Sequence, residues 1–142
     1  MIRIETVTID KVLDYLKFHA SRHLKETGYS HKPDVDWELY RTLGQAKQMF
    51  AFLLKDAGQI VGYALFSIGT NPRCKTRLEA TGDGLYVDSP YRVLWTSKLI
   101  KTALSQLQMM GVKSTDIITD DKVVGRWLSR QGAKNTYQVW SF

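Results

Sequence analysis

Apolar and polar residues recur along the chain with the periods of strands and helices, and this pattern predicts the order of its elements. The first stretch, IRIETVTI, alternates as a half-buried strand does. The residues that follow predict a helix whose N-cap is Asp10. The inward stripe of this helix comprises Val12, Leu13, Leu16, Ala20 and Leu24. A break around Pro33 separates it from a second, shorter helix, DWELYRTLGQAKQ, which begins at Asp36.

The middle of the chain predicts paired strands and the end predicts alternating helices and strands. FAFLLK and QIVGYALFSIG form a hairpin around Asp56-Ala57-Gly58, and a polar loop, NPRCKTR, leads into a long strand over 78–87. SKLIKTALSQLQMMG predicts a helix with Gly111 as its C-cap. The remaining elements are the strand TDIIT, the helix KVVGRWLSRQG and the strand NTYQVWSF. The sequence therefore predicts one mixed α/β domain over residues 1–142.

The stretch LYVDSPYRVLWTSKLIK, residues 85–101, predicts a strand, a tight loop and a helix that begins near Ser97. Junctions of this kind commonly hold phosphates on free backbone N–H groups. Such loops are usually rich in glycine, which lets the backbone approach the ligand. Here the loop has no glycine and carries Leu94 and Trp95.

Composition and charge narrow the class of protein. With 142 residues, 44% of them hydrophobic, the chain is long enough for one domain with a real core. Its single cysteine, Cys74, excludes an internal disulfide, and the N-terminal residues lack the pattern of a signal peptide, so we expect a cytoplasmic protein. The net charge of +6 favours anionic partners, but the basic residues are spread along the chain, which argues against nucleic acid. No apolar run is long enough for a membrane span, so no membrane partner is expected.

Two histidines on the first helix, His19 and His23, have the spacing of metal ligands. No third ligand accompanies them, and the sequence predicts no metal site. His23 and Glu26 lie one turn apart beside the segment GYSHKP, where the sequence predicts the end of the helix. They are either ordinary surface residues of a helix or part of a binding entrance.

Several segments together resemble the Gcn5-related N-acetyltransferase (GNAT) superfamily over nearly the whole chain. They are the hairpin FAFLLKDAGQIVGYALF, the strand and turn LYVDSPYR, the helix SKLIKTALSQLQMMGV and the closing LSRQGA. A narrower likeness, to small acetyltransferases of bacteriophage and prophage genomes, rests on HLKETG, PDVDWELY, IVGYALF and GDGLYVDSPYR. The resemblance implies a mixed, mostly antiparallel central sheet flanked by helices. It also implies acetyl-CoA as co-substrate and an amine of a small molecule or protein as acceptor.

The resemblance also implies where the cofactor binds. The central strand splays from its neighbour, and the free backbone of Leu85, Tyr86 and Val87 pairs with the pantetheine arm. Arg92 and the hydroxyl groups of Thr96 and Ser97 are implied contacts of the pyrophosphate. Trp95 stands near a position where the superfamily has glycine, so its indole either fills the groove or stacks near the adenine. The remaining cofactor candidates are thus Arg92, Trp95, Thr96 and Ser97.

Acetyl transfer to an amine needs a base for the amine proton and an acid for the leaving thiolate. The superfamily often places the acid on a tyrosine of the last helix, where this chain has Leu128. Tyr86 on the central strand is the substitute candidate, with a packed strand aromatic as the alternative. Asp83 is the candidate base because an acid on a central strand is costly to bury without a role. Glu26 is a further catalytic candidate, and with His23 it is expected to bind the acceptor.

The leading hypothesis is an acetyl-CoA-dependent N-acetyltransferase. The alternative is a catalytically inactive binding protein with the same fold, engaged with a host protein or a virion. A third hypothesis, a basic module that binds nucleic acid, is supported by the net charge alone. The sequence specifies neither the acceptor nor the oligomeric state, and a homodimer stays open.

Overall fold

A computed structural model describes residues 1–26, 28, 32–119, 121–136 and 142. The strands are β1 Ile2–Thr8, β2 Met49–Asp56, β3 Gln59–Asn71, β4 Cys74–Val87 and β5 Ser114–Asp116. A 3₁₀ helix, Ile9–Val12, leads into the first of the helices, which are α1 Leu13–Glu26, α2 Trp37–Gln45, α3 Ser89–Met109 and α4 Lys122–Arg130. Most of the predicted last strand, NTYQVWSF, lies outside the described residues. Among the helices of the described ranges, none is long and apolar enough to cross a membrane.

The five strands form one sheet in the order β1-β2-β3-β4-β5. The first four are antiparallel, and β5 runs parallel to β4. This confirms the predicted mixed, mostly antiparallel sheet flanked by helices. One face carries a core with Phe52, Phe66 and Leu99, against α3. The other face carries a core with Leu13 and Tyr86, against α1 and α2.

The turns and caps follow local sequence chemistry. Ala57 and Gly58 have φ of 48° and 82°, the left-handed conformation of a tight two-residue hairpin turn, at the place predicted. Asp36 accepts a hydrogen bond from the Leu39 N–H at 2.9 Å and caps α2 as expected. Asp121 caps α4 in the same way, because its Oδ1 accepts from the N–H groups of Val123 and Val124.

The predicted start of the first helix was wrong. The chain turns through the 3₁₀ helix first, and Asp10 lies inside it instead of capping α1. Its Oδ1 is buried and has no hydrogen-bond partner within the described ranges. The buried residues of α1 are Leu13, Leu16 and His23, so a histidine takes the place predicted for Leu24.

The predicted loops on both sides of β4 were also wrong. NPRCKTR is mostly strand, with a tight turn at 72–73, and β4 already begins at Cys74. After β4 there is no extended loop: Asp88 is the N-cap of α3, and the helix begins at Ser89, eight residues before the predicted start. Pro90 explains this start, since proline fits the first turn of a helix, where its missing N–H costs nothing.

Candidate active site

One edge of β4 is open over its last residues. Its parallel pairing with β5 covers only Glu79 to Thr81, and beyond that point the described strands pair with β4 on its β3 side alone. The Asp88 N–H donates to the Val61 carbonyl at 2.8 Å, which fixes the hydrogen-bonded pairs of the β3–β4 ladder. In such a ladder alternate residues turn their backbone groups to opposite edges. The N–H and C=O groups of Leu85 and Val87 therefore face the open edge, as the predicted splay requires.

A bulge in β4 decides which side chains share a face. Gly84 pairs with Leu65 and Gly82 pairs with Phe66, so Asp83 is an extra residue without a partner in the ladder. The glycine pair on either side of Asp83 predicts a bulge, and the structure confirms it. In a regular strand, positions 83 and 86 would point to opposite faces. The bulge instead places the side chains of Asp83 and Tyr86 on the face covered by α1 and α2.

Asp83 is exposed and is held by α2. The hydroxyl group of Tyr40 donates to Asp83 Oδ2 at 2.7 Å. Burial and the hydrogen bond to Asp83 raise the pKa of the Tyr40 phenol, so this hydroxyl stays a donor at neutral pH. The Asp83 carboxylate keeps its remaining acceptor capacity for another donor.

Tyr86 and Glu26 form a second carboxylate–phenol contact. The Tyr86 hydroxyl group donates to Glu26 Oε2 at 2.7 Å, and the Tyr86 residue is 5% exposed. Burial, the hydrogen bond to Glu26 and the neighbouring Asp88 raise the pKa of the phenol. The same hydrogen bond and the two nearby arginines, Arg22 and Arg92, lower the pKa of the Glu26 carboxyl. At neutral pH the pair is therefore a protonated phenol on an ionised carboxylate.

His23 lies beneath this pair and not at an exposed entrance, which corrects its predicted exposed position. It is 2% exposed, and its ring stacks on Tyr86 with centroids 3.6 Å apart. Nε2 lies 3.2 Å from the guanidinium of Arg22, which can only donate, so Nδ1 carries the proton and donates to the Tyr63 oxygen at 2.8 Å. Burial, Arg22 and His19 lower the pKa of His23 to about 4, so the ring is neutral at pH 7.

Two arginines surround Glu26. Arg92 donates from Nε to the Val87 carbonyl at 3.0 Å, and its Nη2 lies 3.5 Å from Glu26. Arg22 lies 3.9 Å from Glu26 through Nε and 3.5 Å from Asp88 through Nη2. Arg92 thus connects the end of the open edge to the Glu26 carboxylate.

Three of the predicted cofactor contacts lie inside a helix. The Thr96 hydroxyl group donates to the Arg92 carbonyl at 2.7 Å, within α3. Trp95 packs partly against the α3-side core, with Lys98 Nζ 4.5 Å from the centroid of its ring. Ser97 is half-buried in the same helix. The predicted loop of free N–H groups around these residues is therefore not formed, and the free groups belong to the first turn of α3, next to Asp88.

Sequence reasoning proposed Asp83, Glu26, Tyr86, Arg92 and the edge at Leu85 and Val87 as candidates. The structure brings Glu26, Tyr86 and Arg92 into contact. Sequence reasoning missed Arg22, Tyr40, Tyr63 and Asp88, which hold these groups in place. The spacing of Arg22 and Glu26, four positions apart on one helix, was the available signal for an ion pair. The contacts of Tyr40 and Tyr63 join residues about forty positions apart, which no local pattern reveals. Within the described part of the chain, no three His, Cys, Asp or Glu side chains cluster as metal ligands do.

No protein-family model matches the sequence, and no curated protein matches it. Solved structures do share the fold. A predicted acetyltransferase from Clostridium acetobutylicum, solved with acetyl-CoA, is 12% identical, with a TM-score of 0.78 over 100% of this chain and 96% of its own. A GCN5-related N-acetyltransferase from Ralstonia eutropha is 14% identical, with a TM-score of 0.77 over 99% and 97%. An aminoglycoside acetyltransferase from an uncultured soil sample, solved with sisomicin, is 15% identical, with a TM-score of 0.74 over 99% and 95%. The chain has the GNAT fold.

Proposed function

We propose that the protein is an acetyl-CoA-dependent N-acetyltransferase that acts on an amine of a small molecule or protein. The observation that carries this proposal is the open edge of β4, which ends beside the first turn of α3. The N–H and C=O groups of Leu85 and the N–H group of Val87 face that edge, where the amides of a pantetheine arm pair as another strand would. The Val87 carbonyl accepts a hydrogen bond from Arg92.

The phosphates of the cofactor belong near the start of α3. Free N–H groups and the positive end of the helix attract anions there. Arg92 supplies a charge-assisted donor at the same place. The carboxylates of Asp88 and Glu26 oppose the binding of an anion, since each of them lies within 4 Å of an arginine of the site. We therefore propose a working cofactor site of modest affinity.

The side chains on the α1 and α2 face supply the proton chemistry. The acceptor nitrogen attacks the thioester carbonyl carbon and loses a proton to the exposed Asp83 carboxylate. The carbonyl re-forms as the carbon–sulfur bond breaks, and the thiolate of CoA takes the proton of the Tyr86 phenol. The raised pKa of Tyr86 keeps that proton in place until the thiolate appears. Glu26 holds the phenol and attracts the acceptor as its ammonium ion, and His23 fixes the ring from behind.

The structural neighbours support this reaction class. One of them was solved with acetyl-CoA and another, an aminoglycoside acetyltransferase, with sisomicin. Because the sequence identities to these neighbours are below 25%, they support the class of reaction and not a particular acceptor.

A binding protein without turnover is the second candidate. The specific observation in its favour is Asp88, whose carboxylate stands at the N-cap of α3, where a phosphate would bind. A phage-type protein that engages a host partner or a virion is one setting for such a protein.

Calorimetric titration with acetyl-CoA and with CoA tests the proposal before any acceptor is known. We expect both to bind, and Arg92→Ala to weaken binding by about 1.5–3 kcal/mol, the range for a hydrogen bond to a charged group. Arg73→Ala, which removes an exposed cation from the β3–β4 turn, is the matched control and should bind as the parent does. Release of thiol with a panel of amines then separates the two candidates, because the binding protein releases none. Absence of binding to either cofactor overturns the proposal.

A further inference from the structure

The net charge is unevenly divided along the chain. Residues 1–88 contain 12 basic and 11 acidic residues, whereas residues 89–142 contain 8 basic and 3 acidic ones. Almost the whole excess of positive charge therefore lies in the part that forms α3, β5 and α4. Neither helix contains an Asp or a Glu.

Five of these cations are exposed on α3 and α4, and we call the surface of the two helices that carries them the α3–α4 face: Lys98, Lys101, Lys122, Arg126 and Arg130. The three on α4 are four positions apart, so they form a row along one side of the helix with steps of about 6 Å. The two on α3 are one turn apart. Lys101 Nζ lies 6.0 Å from the centroid of the Trp127 ring, which joins the surfaces of the two helices.

Among the described residues, the cations of the α3–α4 face have no carboxylate partner within ion-pair distance, because every ion pair found there lies elsewhere in the molecule. Asp121 lies beside the α4 row, and its Oδ1 accepts hydrogen bonds from the N–H groups of Val123 and Val124. Within the described ranges, the positive field of the row is therefore offset at the N-terminal end of α4.

Each helix also places an indole beside a lysine of the face. Lys98 Nζ lies 4.5 Å from the Trp95 ring centroid, and Lys101 has the corresponding contact with Trp127. Both indoles are half-buried. A phosphate that draws the ammonium group aside exposes the ring face to a nucleobase. Cations combined with aromatic rings are how proteins bind single strands without sequence preference.

We propose that the α3–α4 face binds a single strand of nucleic acid, with the cations on the phosphates and the two indoles beneath bases. This surface begins beyond the first turn of α3, where the proposed cofactor site ends. Trp95 lies six positions after Ser89, about 9 Å by the rise of the helix, and Lys101 lies twelve positions after it, about 18 Å. The proposal is independent of the transfer reaction.

Fluorescence anisotropy of a labelled oligonucleotide of about 20 nucleotides tests it, since this length exceeds the site size of one small domain. The variant replaces Lys122, Arg126 and Arg130 by Gln. The control replaces Lys11, Lys17 and Lys75 by Gln; these are exposed cations on the 3₁₀ helix, α1 and β4, and their removal changes the net charge equally. We expect the α4 variant to bind at least tenfold more weakly and to lower the slope of log K against log salt by about 2. The control should bind as the parent does.

A second variant, Trp127→Phe, tests the stacking: it should weaken single-strand binding and should leave duplex binding unchanged. Four results of the oligonucleotide titrations overturn the proposal. They are absence of binding to the single strand, equal losses in the α4 and control variants, tighter binding of the duplex, and displacement of the strand by stoichiometric CoA. An equal affinity for poly-glutamate would assign the face to an acidic polypeptide and overturn it as well.

Discussion

Tyr86 holds a proton at the point where the open strand edge, α1 and α3 meet. Its hydroxyl group donates to Glu26, and its ring lies between His23 and the guanidinium of Arg92, 5.9 Å from the ring centroid. A buried phenol with a carboxylate acceptor keeps its proton at neutral pH. The site thus contains a phenol that releases its proton only to a base stronger than water.

Tyr86→Phe should lower the rate of acetyl transfer by about 100-fold, the usual contribution of a general acid, and leave the acetyl-CoA dissociation constant unchanged. The measurement is thiol release together with calorimetry. Tyr91→Phe is the control, because the Tyr91 hydroxyl group makes a similar 2.7 Å hydrogen bond to Asp56 outside the site. A Tyr86 variant with full activity would leave the phenol a purely structural role.

Asp83→Asn should reduce turnover far more than cofactor affinity, since a base acts in the transition state and not in the cofactor complex. The amide still accepts the hydrogen bond from Tyr40, so the fold should persist. Asp56→Asn changes the phenol–carboxylate pair outside the site, Tyr91 with Asp56, and should leave the rate unaltered. Equal losses in the rate and in the midpoint of unfolding would assign Asp83 to the structure instead.

His23 should make the stability of the fold depend on pH. Its pKa is about 4 in the folded protein and 6.5 ordinarily, so the unfolded chain binds the extra proton first as the pH falls. The stabilisation is complete above pH 6.5 and is lost as the pH falls towards 4. Between pH 7 and 5 the free energy of unfolding should fall by about 2 kcal/mol from this group.

Urea unfolding at the two pH values measures this effect. His23→Phe keeps a ring against Tyr86 but cannot take up a proton, so its stability should change less over the same interval. It should lose about 1 kcal/mol at pH 7, because the hydrogen bond to Tyr63 is gone. His19→Phe, one turn earlier on α1, should retain the dependence of the parent. An unchanged pH dependence in the His23 variant contradicts the assignment.

At the scale of elements, a glycine of α2, Gly44, allows this helix to pack closely against the 3₁₀ helix. A Cβ at Gly44 would lie 2.6 Å from the backbone nitrogen of Asp10, whereas Gly125 in α4 has open space around it. Gly44→Ala should therefore destabilise the fold by about 1–3 kcal/mol. Gly125→Ala should stabilise it by up to about 1 kcal/mol through helix propensity. Opposite shifts in the thermal midpoint are the expected result, and parallel shifts would show that α2 moves freely.

Trp95 contributes to the packing of helix α3 on the core. The indole packs partly against the core under α3, so Trp95→Ala should lower stability by about 2 kcal/mol, half of what a fully buried tryptophan costs. Acetyl-CoA affinity should stay constant, because the ring packs partly against the α3-side core. Leu94→Ala, a neighbour that is 69% exposed, should change neither quantity. A gain in cofactor affinity on loss of the indole would place Trp95 in the groove.

At the scale of the whole molecule, regular periods predicted the sheet, the hairpin and the helices because burial of one face imposes those periods. Two of the features that were predicted wrongly have causes that can be named. The early start of α3 depends on Asp88 at the N-cap and Pro90 in the first turn. Both residues favour a helix start, but the sequence pattern around them was interpreted as a loop. The burial of His23 depends on its hydrogen bond with Tyr63, forty positions away. The helical pattern alone therefore predicted an exposed position for this polar residue. The candidate site was predictable where it lies on β4, and unpredictable where long-range partners build it.

The bulge at Asp83 also makes the length of β4 a functional quantity. Gly82 and Gly84 pair with Phe66 and Leu65, which are consecutive residues of β3, so deletion of Asp83 would leave a regular ladder. Tyr86 would still face α1, and Leu85 and Val87 would still face the core under α3. A single codon lost here would therefore remove the candidate base alone and leave the scaffold around it in register.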